Sequence, residues 1–424
     1  MQFELQAKIV INVESSNILG ITTSFLQSLA PIFATMVSMV MFHYRDEYEK
    51  KGRIPFLLGL EAGDSWSWKS KQGYNTIVIN SLFGKVILPN PVVKIKRKDG
   101  SKSSKVLGRK LLEVSPFSQI PDFMKELLGT LGGLMSFRNV EKSMKVFGIF
   151  KVSLGSIWCS LQWSAKALIL KIKECDNSDN TEQSIVLETD GTGVASSKSG
   201  KRGSEIKVLM QRKAGKGLCF LGVKVGKYSS ESDWKCLFDD FKKKFSSLKK
   251  TVKNCTLVAD GDSTVIDVFN TLSIDAVKTF QRCLWHIPHQ MKYMLWKDKV
   301  DVSQKKEILA LTYNAFLLRK SIRLEEFENY ICIKLARIEV LIEKCKNLGF
   351  FTCATFLKNA KKNTFTLGKS VKDNRNTSLT ERAMRTIKQR TRYAVWSESG
   401  VENVVKIRLN HFYNQNSIGL YFHT

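Results

Sequence analysis

The chain has 424 residues, of which 43% are hydrophobic and 25% are charged, a composition that excludes a disordered or fibrous protein. Its 67 Lys and Arg residues outnumber its 39 Asp and Glu residues, and the resulting net charge of +28 favours a polyanionic partner, most often nucleic acid. None of the nine cysteines forms a Cys-x-x-Cys pair, which argues against a zinc ribbon or a disulfide framework and favours reduced thiols in a cytoplasm.

The N-terminal part is predicted to contain helices and a small hairpin. Residues 1–75 are predicted to be mainly helical, and they include an uncharged stretch, residues 16–44, that is long enough to span a bilayer. The many Ser and Thr residues of this stretch and its central Pro31 favour core helices over a membrane segment, so no membrane is expected as a partner. Residues 76–98 alternate and are rich in β-branched side chains, which predicts a hairpin, and the basic stretch 96–105 is predicted to be a linker.

The next part of the chain is predicted to form short helices joined by glycines, over residues 117–170. A helix over residues 137–147, a turn near residues 148–153 and a second helix after Leu154 together resemble a helix-turn-helix. In that motif the second helix enters the major groove of DNA. Plain packing of a helical hairpin explains the same pattern, so both interpretations stay open. The polar residues 175–183 are predicted to link this part to the next domain.

From residue 184 onwards the pattern predicts three strands, followed by helices and strands in alternation. We expect an α/β fold, with a ribonuclease-H-like mixed sheet in which the first and fourth strands are adjacent and parallel. The first strand is predicted to end at Asp190 and the fourth at Asp260. Residues 300–360 are predicted to be helical without strands. A last, very basic helix is predicted to follow, with Thr380 as its N-terminal cap.

Two predicted strands end in the same way, in the segments "LETDGTG" and "LVADGDS". If these strands are parallel neighbours, Asp190 and Asp260 lie together, and their carboxylates repel each other. Magnesium resolves this repulsion because it prefers oxygen ligands, and a pair of such ions can activate an attacking water and stabilise a leaving oxygen. The glycines beside each Asp are predicted to let a nucleic-acid backbone approach closely. Asp262 is an alternative to Asp260, although the strand-end position favours Asp260.

A third carboxylate is needed to complete such a site, and Asp373, Glu381 and Glu398 are the candidates near the C-terminus. Glu381 is favoured because it begins a basic helix on which Arg385 and Lys388 share its face, at spacings i, i+4 and i+7. The same helix and its end supply further candidate DNA-binding cations, Arg390 and Arg392. A solvent-exposed Glu favoured by the helix dipole is the alternative interpretation.

The segments "ETDGTGV", "VADGD", "CLWH" and "TERAMRTIKQRTRYAVWSESGVENV" together resemble DDE transposases of the Mutator-like group, of the kind carried by prokaryotic insertion sequences. The resemblance covers about residues 184–415. It implies a ribonuclease-H-like catalytic domain with a mostly helical insertion between the second Asp and the Glu. It also implies that Asp190, Asp260 and Glu381 bind Mg²⁺, with Mn²⁺ as a substitute. The Cys-x-x-His of that group matches Cys283 and His286.

The resemblance implies a transposase that binds the terminal inverted repeats of a mobile element. Such an enzyme hydrolyses a phosphodiester at each end, and the freed 3′-hydroxyl then attacks target DNA. Joining two ends implies a homo-oligomer. The expected location is the cytoplasm of a prokaryotic host, in association with the nucleoid. Two alternatives stay open: a structure-specific nuclease on the same fold, and a domesticated or inactive transposase that only binds DNA.

The remaining candidate residues each have two interpretations. The loop residues Lys198, Lys201 and Arg202 either hold phosphates or form a solvated hairpin tip. Trp396 either stacks on an exposed base or packs in the core. His286 either contacts DNA and orients the scissile phosphate or is a hydrogen-bonded helix histidine. A zinc site at Cys283 and His286 is not expected, because no second pair of ligands is visible.

The predicted domain organisation follows from these patterns. Residues 1–100 form an N-terminal α+β region, and residues 101–180 form a helical region with the helix-turn-helix pattern, both assigned to DNA binding. The remaining ranges are the first part of the ribonuclease-H-like core, residues 181–299, the helical insertion, residues 300–375, and the catalytic helix with the tail, residues 376–424.

Overall fold

The computed structural model describes residues 18–81, 84–111, 120–146, 151–168, 170, 183–197, 203–212, 217–248, 252–318, 326–366 and 380–414. The chain divides into two compact units, Met1–Ala167 and Leu168–Thr424. The first unit has a three-stranded antiparallel sheet and the second a five-stranded mixed sheet, and both carry helices, so the fold is α/β. Among the described residues, none of the helices combines the length and the apolar character needed to cross a membrane.

The described residues of the first unit form helices and strands in the following chain order. They are α1 (Ile18–Lys50), α2 (Ile54–Leu58), β1 (Ser65–Ser81), β2 (Gly84–Lys96), β3 (Lys102–Val106), α3 (Gly108–Leu111), α4 (Asp122–Leu134), α5 (Phe137–Val146) and α6 (Leu154–Ala167). The hairpin predicted over residues 76–98 is confirmed, because β1 and β2 pair antiparallel. The helices predicted around residues 137–147 and after Leu154 are also present, as α5 and α6.

Two predictions in this unit are wrong. Residues 65–75 belong to β1 rather than to a helix, because Trp66 and Trp68 pack on a core that Met41 and Val93 help to form, while the intervening serines are exposed. The stretch predicted as a linker, residues 96–105, is a hairpin. Strand β3 pairs antiparallel with β2, and the turn between them closes with the N–H of Arg97 donating to the carbonyl of Ser101 at 2.9 Å.

The second unit begins with the sheet and its covering helices. Its elements are β4 (Gln183–Val194), β5 (Ser204–Arg212), β6 (Leu218–Gly226), α7 (Glu231–Phe245), β7 (Val252–Ala259), α8 (Ser263–Thr271), β8 (Val277–Arg282), α9 (His286–Lys297), α10 (Val302–Phe316), α11 (Phe327–Asn347), α12 (Phe351–Lys362), α13 (Thr380–Thr391) and α14 (Glu398–Tyr413). The strand order is β6-β5-β4-β7-β8. Strands β4, β5 and β6 are antiparallel to their neighbours in this series, and β7 and β8 run parallel to β4. The predicted parallel pairing of the first and fourth strands is therefore confirmed.

The two faces of this sheet carry different helices. Ile185 and Leu187 of β4 pack in one core with Phe238 of α7 and Phe269 of α8. Because neighbouring residues of a strand point to opposite faces, Glu188 points away from this core. On that side it contacts Thr380, the first residue of α13. Asp190 is two residues after Glu188, so its side chain points to the same face of the sheet, the face on which α13 lies.

A helical region separates the last strand from α13, as predicted. Apolar residues of α9, among them Ile287 and Met291, share one core with Ile308 of α10, Leu341 of α11 and Leu357 of α12. This core fixes the direction of α9 from its first turn. The C-terminal helix α14 was missed in the sequence, although Ser397 caps it by accepting a hydrogen bond from the N–H of Gly400 at 3.2 Å.

Candidate active site

The register of β4 and β7 brings Asp190 and Asp260 to the same level of the sheet. The parallel ladder between these strands ends with the pair Glu188 and Val258, so each Asp lies two residues beyond it. The prediction that the strand ends at Asp190 is wrong, because β4 stays paired with β5 as far as Val194. Asp190 is therefore still paired with β5 on one side. On the other side it lies beyond the last residue of β4 that pairs with β7.

The glycines beside the aspartates accommodate side chains of the protein itself. A Cβ at Gly191 would collide with the carboxylate of Glu205, and a Cβ at Gly193 would collide with the hydroxyl of Tyr228. At Gly261, which has a φ of +99°, a Cβ would lie 2.7 Å from Nε of Arg282. Within the fold these glycines allow Glu205, Tyr228 and Arg282 to pack close to the strand ends, and close approach of a nucleic-acid backbone stays a prediction.

Glu381 and His286 complete a cluster with Asp190. Glu381 lies in the first turn of α13, and His286 is the first residue of α9. One potential ligand atom from each of these three residues lies within 4.8 Å of the other two. The imidazole Nε2 of His286 is 3.7 Å from Oε1 of Glu381. Two of the three predicted carboxylates thus come together, with the predicted His286 beside them.

Asp260 lies close to this cluster, although it is not one of the three clustered residues. Its Oδ1 accepts a hydrogen bond from the N–H of Asp262 at 3.1 Å, and its negative charge helps to raise the pKa of Asp190. The carboxylate of Asp262 is used differently, since it caps α8 by accepting from the N–H of Thr264 at 2.9 Å. Gln290 of α9 donates to the carbonyl of Asp260 at 3.4 Å and accepts from Arg282 at 2.8 Å.

The position of Glu381 depends on a residue that the sequence analysis missed, Glu188. Its buried carboxylate pairs with Arg212 of β5 and accepts hydrogen bonds from both the N–H of Thr380, at 3.0 Å, and the hydroxyl of Thr380. Thr380 was predicted to cap α13, but the carboxylate of Glu188 caps this helix instead. Its negative charge there interacts favourably with the positive N-terminal end of the helix dipole. The available signal was a Glu inside the apolar stretch "SIVLE".

The surroundings of the cluster raise the pKa values of both Asp190 and His286, which favours the neutral form of the carboxyl and the charged form of the imidazole. Burial, together with the charges of Asp260 and Glu381, raises the pKa of Asp190 from 3.8 to about 6, against the lowering effects of His286 and the N–H of Gly191. Burial alone lowers the pKa of His286, but contact with the Cys283 thiol and the charges of Asp190 and Asp260 outweigh it and raise that pKa to about 9. At neutral pH the imidazole is therefore a cation among carboxylates.

The donor set fits a hard divalent cation. Asp190 and Glu381 offer carboxylate oxygens at short separation, and such oxygens are the preferred ligands of Mg²⁺ and Mn²⁺. The pKa of Asp190 is raised first by its burial and then by the negative charges of Asp260 and Glu381 nearby. The imidazole is the exception in the set, since nitrogen is a poor ligand for Mg²⁺. His286 is better described as a proton-carrying neighbour of the carboxylates than as a ligand.

The other predicted site residues have mixed outcomes. Arg385, Lys388 and Arg392 are exposed on or after α13, as a DNA-binding surface requires. Arg390 instead lies over the ring of Trp396 at 4.9 Å, and burial and the charge of Arg408 lower its pKa to about 10.

Trp396 is buried, so it does not stack on an exposed base. The chain after α13 runs beside the end of β4, and the N–H of Trp396 donates to the carbonyl of Ala195 at 3.0 Å. The rival carboxylate Glu398 accepts from the hydroxyl of Ser204 at 2.8 Å. Cys283 is buried directly after β8. Four predicted site residues lie outside the described residues: Lys198, Lys201, Arg202 and the alternative Asp373.

The shifted pKa of Asp190 predicts a stability effect in metal-free protein. A carboxyl whose pKa is raised from 3.8 to about 6 on folding gives full stability below pH 3.8 and loses it as the pH rises through about 6. Asp190→Asn should therefore be more stable than wild type at pH 8 in EDTA, by about 1–3 kcal/mol. Urea denaturation at pH 8 and pH 4 measures this, with the difference expected to vanish at pH 4. A less stable variant at pH 8 would contradict the electrostatic description.

Comparisons with known proteins assign no family to this chain. No protein-family model matches it, and no curated protein matches it. The function is therefore inferred from the residues and the geometry of the site.

Proposed function

We propose that this protein is a metal-dependent DNA transposase of the DDE type, with Asp190, Asp260 and Glu381 as its catalytic carboxylates. The observation that carries the proposal is the cluster of Asp190, Glu381 and His286, with Asp260 at the same level of the adjacent strand. These groups come from elements that are far apart in the sequence. Partly buried ionisable groups that cluster in this way, with shifted pKa values, are typical of functional sites.

The topology of the second unit supports a ribonuclease-H-like assignment. Three antiparallel strands are followed by two strands parallel to the first, with the fourth strand next to the first. One carboxylate follows the ladder on each of the two central strands, and the third comes from a helix packed across the sheet. The helices α10, α11 and α12 lie between Asp260 and Glu381 in the sequence, which supports the helical insertion implied by the resemblance to DDE transposases.

The chain's own groups suit phosphodiester chemistry. A bound pair of Mg²⁺ ions would activate the attacking oxygen and stabilise the leaving oxygen. Asp190, Asp260 and Glu381 would hold these ions, and the protonated imidazole of His286 would donate a hydrogen bond to a phosphate oxygen. Hydrolysis by water and attack by a 3′-hydroxyl differ only in the nucleophile, so one site serves both steps.

An aromatic row along α9, of which three members are exposed and His289 is half-buried, supports a nucleic-acid strand as the substrate. The first residue of the row directly precedes His286, and the members fall within an arc of about 80° on the helix. We call it the aromatic face: Trp285, His289, Tyr293 and Trp296. The outer two, Tyr293 and Trp296, are 67% and 73% exposed, and the rings of Trp285 and His289 lie 4.7 Å apart. Exposed Lys292 and Lys297 adjoin the row, a combination typical of single-strand binding.

Removal of the aromatic face should weaken single-strand binding. The double variant Tyr293→Ala/Trp296→Ala is expected to lose about 1–3 kcal/mol per stacked base in affinity for a single-stranded oligonucleotide. Fluorescence anisotropy measures this loss, and duplex binding should change much less. Phe56→Ala, which removes an aromatic side chain that is 87% exposed in the other unit, is the matched control. Equal losses in both variants would contradict a specific strand-binding role.

The direct test uses the full chain and DNA that carries the sequences flanking its gene. Wild-type protein should cut this DNA with Mg²⁺ or Mn²⁺ and not with EDTA, leave 3′-hydroxyl ends, and join those ends to a second DNA. Cleavage without joining and without dependence on the flanking sequences would favour a structure-specific nuclease. Binding without cleavage under any metal condition would favour a DNA-binding protein that has lost catalysis.

A further inference from the structure

One face of the sheet in the first unit is basic and rich in hydroxyl groups. We call it the basic sheet face, and it consists of Ser65, Ser67, Lys94, Lys96, Lys102 and Ser104. The register places them in two rows across the strands, one through Lys96 and the other through Lys94. All six residues are exposed, whereas the alternate residues Trp66, Val93 and Ile95 pack into the core on the other side. Within the described part of the chain, no element covers this face.

The basic sheet face has an unbalanced charge. Lys96 and Lys102 are direct cross-strand partners, and like charges in that arrangement repel each other. Among the ion pairs of the described residues in this unit, none involves Lys94, Lys96 or Lys102.

The two nearby carboxylates, Asp64 and Asp99, form no ion pair with these lysines among the described residues. Asp64 accepts hydrogen bonds from the N–H groups of Glu61 and Lys98, at 3.2 and 3.1 Å, and Asp99 accepts from the N–H of Ser101 at 2.8 Å. Both side chains are therefore used to fix backbone turns. The three lysines keep their charge for a ligand that the fold does not provide.

We propose that the basic sheet face binds the phosphate backbone of duplex DNA. Ammonium and hydroxyl groups donate to phosphate oxygens without reading base sequence. Lysines two apart on a strand are about 6.6 Å from each other, and neighbouring strands are about 4.8 Å apart, so the face offers a flat grid of donors. It exposes no aromatic ring, which favours a duplex over a single strand, whose bases need stacking partners.

Helix α6, which the helix-turn-helix pattern would place in the major groove, carries fewer cations than the basic sheet face. Ile157 and Leu161 of α6, the second helix of the helix-turn-helix pattern, are buried, and its one cation is Lys166 in the last turn. Helix α5 carries three exposed cations, Arg138, Lys142 and Lys145, on a single face. It therefore provides a comparison surface that bears the same number of charges as the basic sheet face.

The test compares two triple variants of the full chain. Lys94→Gln/Lys96→Gln/Lys102→Gln removes three charges from the basic sheet face, and Arg138→Gln/Lys142→Gln/Lys145→Gln removes three from α5. The probe is a labelled 30-base-pair duplex of arbitrary sequence. We expect the sheet variant to bind about 10- to 100-fold more weakly at 0.1 M salt, with a salt slope reduced by about 2–3, because each lost phosphate contact contributes about 0.9. The α5 variant should stay within about 3-fold of wild type.

The controls separate charge from folding. Lys94→Arg/Lys96→Arg/Lys102→Arg should bind as wild type does, and the Gln variant should melt no lower than wild type, because it relieves the repulsion between Lys96 and Lys102. Unchanged duplex binding by the sheet variant, or a larger loss in the α5 variant, would overturn the inference. A sheet variant that loses binding to phosphatidylserine vesicles but keeps its duplex binding would also overturn the inference.

The inference rests on the proposed function only in taking DNA as the polyanion, and the two can fail separately. Wild-type protein that binds duplex through these lysines but cuts nothing supports the basic sheet face and contradicts the transposase proposal. If wild-type protein cuts DNA and the sheet variant binds duplex normally, the transposase proposal is supported and the role of the basic sheet face is contradicted.

Discussion

Asp190→Asn and Glu381→Gln should each abolish Mg²⁺-dependent DNA cleavage and leave duplex binding intact. Each change keeps the shape of the side chain and removes one of the two clustered carboxylate charges that suit a hard cation. Loss of a metal ligand removes stabilisation of both the attacking and the leaving oxygen, so we expect cleavage to fall by about 10³-fold or more, which is about 4 kcal/mol of barrier. Single-turnover cleavage and anisotropy on the same DNA measure the two properties.

Two matched substitutions make this test specific. Glu398→Gln removes a carboxylate that begins the next helix and hydrogen-bonds to Ser204, and it should cut normally. Asp262→Asn keeps a good helix cap, so it should also cut, whereas Asp260→Asn should not. Cleavage that survives both Asp190→Asn and Glu381→Gln would show that the site lies elsewhere. Loss of cleavage in Glu398→Gln would show that carboxylates in this region matter only through general charge.

The convergence of Asp190 and Asp260 could be predicted from the sequence because it depends on few facts. Each residue follows an apolar run. Two antiparallel turns make β6 parallel to β4, and the crossover through α7 then makes β7 parallel to both. Parallel neighbours bring corresponding positions to the same edge, whatever their detailed packing. The position of Glu381 needed the resemblance to DDE transposases, because residues 367–379 before its helix carry no pattern that fixes where the helix docks.

Other features could not be predicted because they depend on partners that are distant in the sequence. The serines and tryptophans of "SWSWK" alternate, as in a half-buried strand. The hairpin between β2 and β3, over residues 96–105, contains so many charges that it resembled a linker. Trp396 is buried because the chain returns to pair with the end of β4, about 200 residues earlier in the sequence. Gly191 and Gly193 gave a signal for close approach, but only the structure identifies Glu205 and Tyr228 as the groups that approach.

Glu188 is the clearest residue that the sequence analysis missed, and it links the stability of the fold to the geometry of the proposed site. The side chain connects β4, which carries Asp190, to the first residue of α13, which precedes Glu381. It also neutralises the buried guanidinium of Arg212. We therefore describe Glu188 as a positioning residue, which sets the distance between two carboxylates without contacting the substrate.

Glu188→Gln should destabilise the protein strongly and also impair cleavage. The change leaves the charge of Arg212 buried without its counter-charge, which costs about 3–5 kcal/mol. It also removes the charge that caps α13, so Glu381 loses its fixed position. Urea denaturation measures the first effect. The second is measured as cleavage per folded molecule, at a temperature where the variant is folded, together with the increase in melting temperature on addition of Mg²⁺.

A double variant separates the two roles of Glu188. Glu188→Met/Arg212→Met removes both buried charges, and such replacements often restore stability. Because methionine cannot accept hydrogen bonds from Thr380, cleavage and Mg²⁺-induced stabilisation should remain low in this stable variant. Full cleavage by the double variant would mean that Glu188 serves folding alone.

The matched control for destabilisation lies in the helical region. Lys334 is buried, and its ammonium donates to the carbonyl of Leu317 at 2.9 Å after the end of α10. Lys334→Met should destabilise the protein by about 1–3 kcal/mol, because buried carbonyls lose their donor. It should nevertheless cut DNA normally once folded, since none of its contacts reach the cluster. If Lys334→Met and the Glu188 double variant lose cleavage equally, the loss reflects general weakening of the fold, and the link from Glu188 through α13 to Glu381 is wrong.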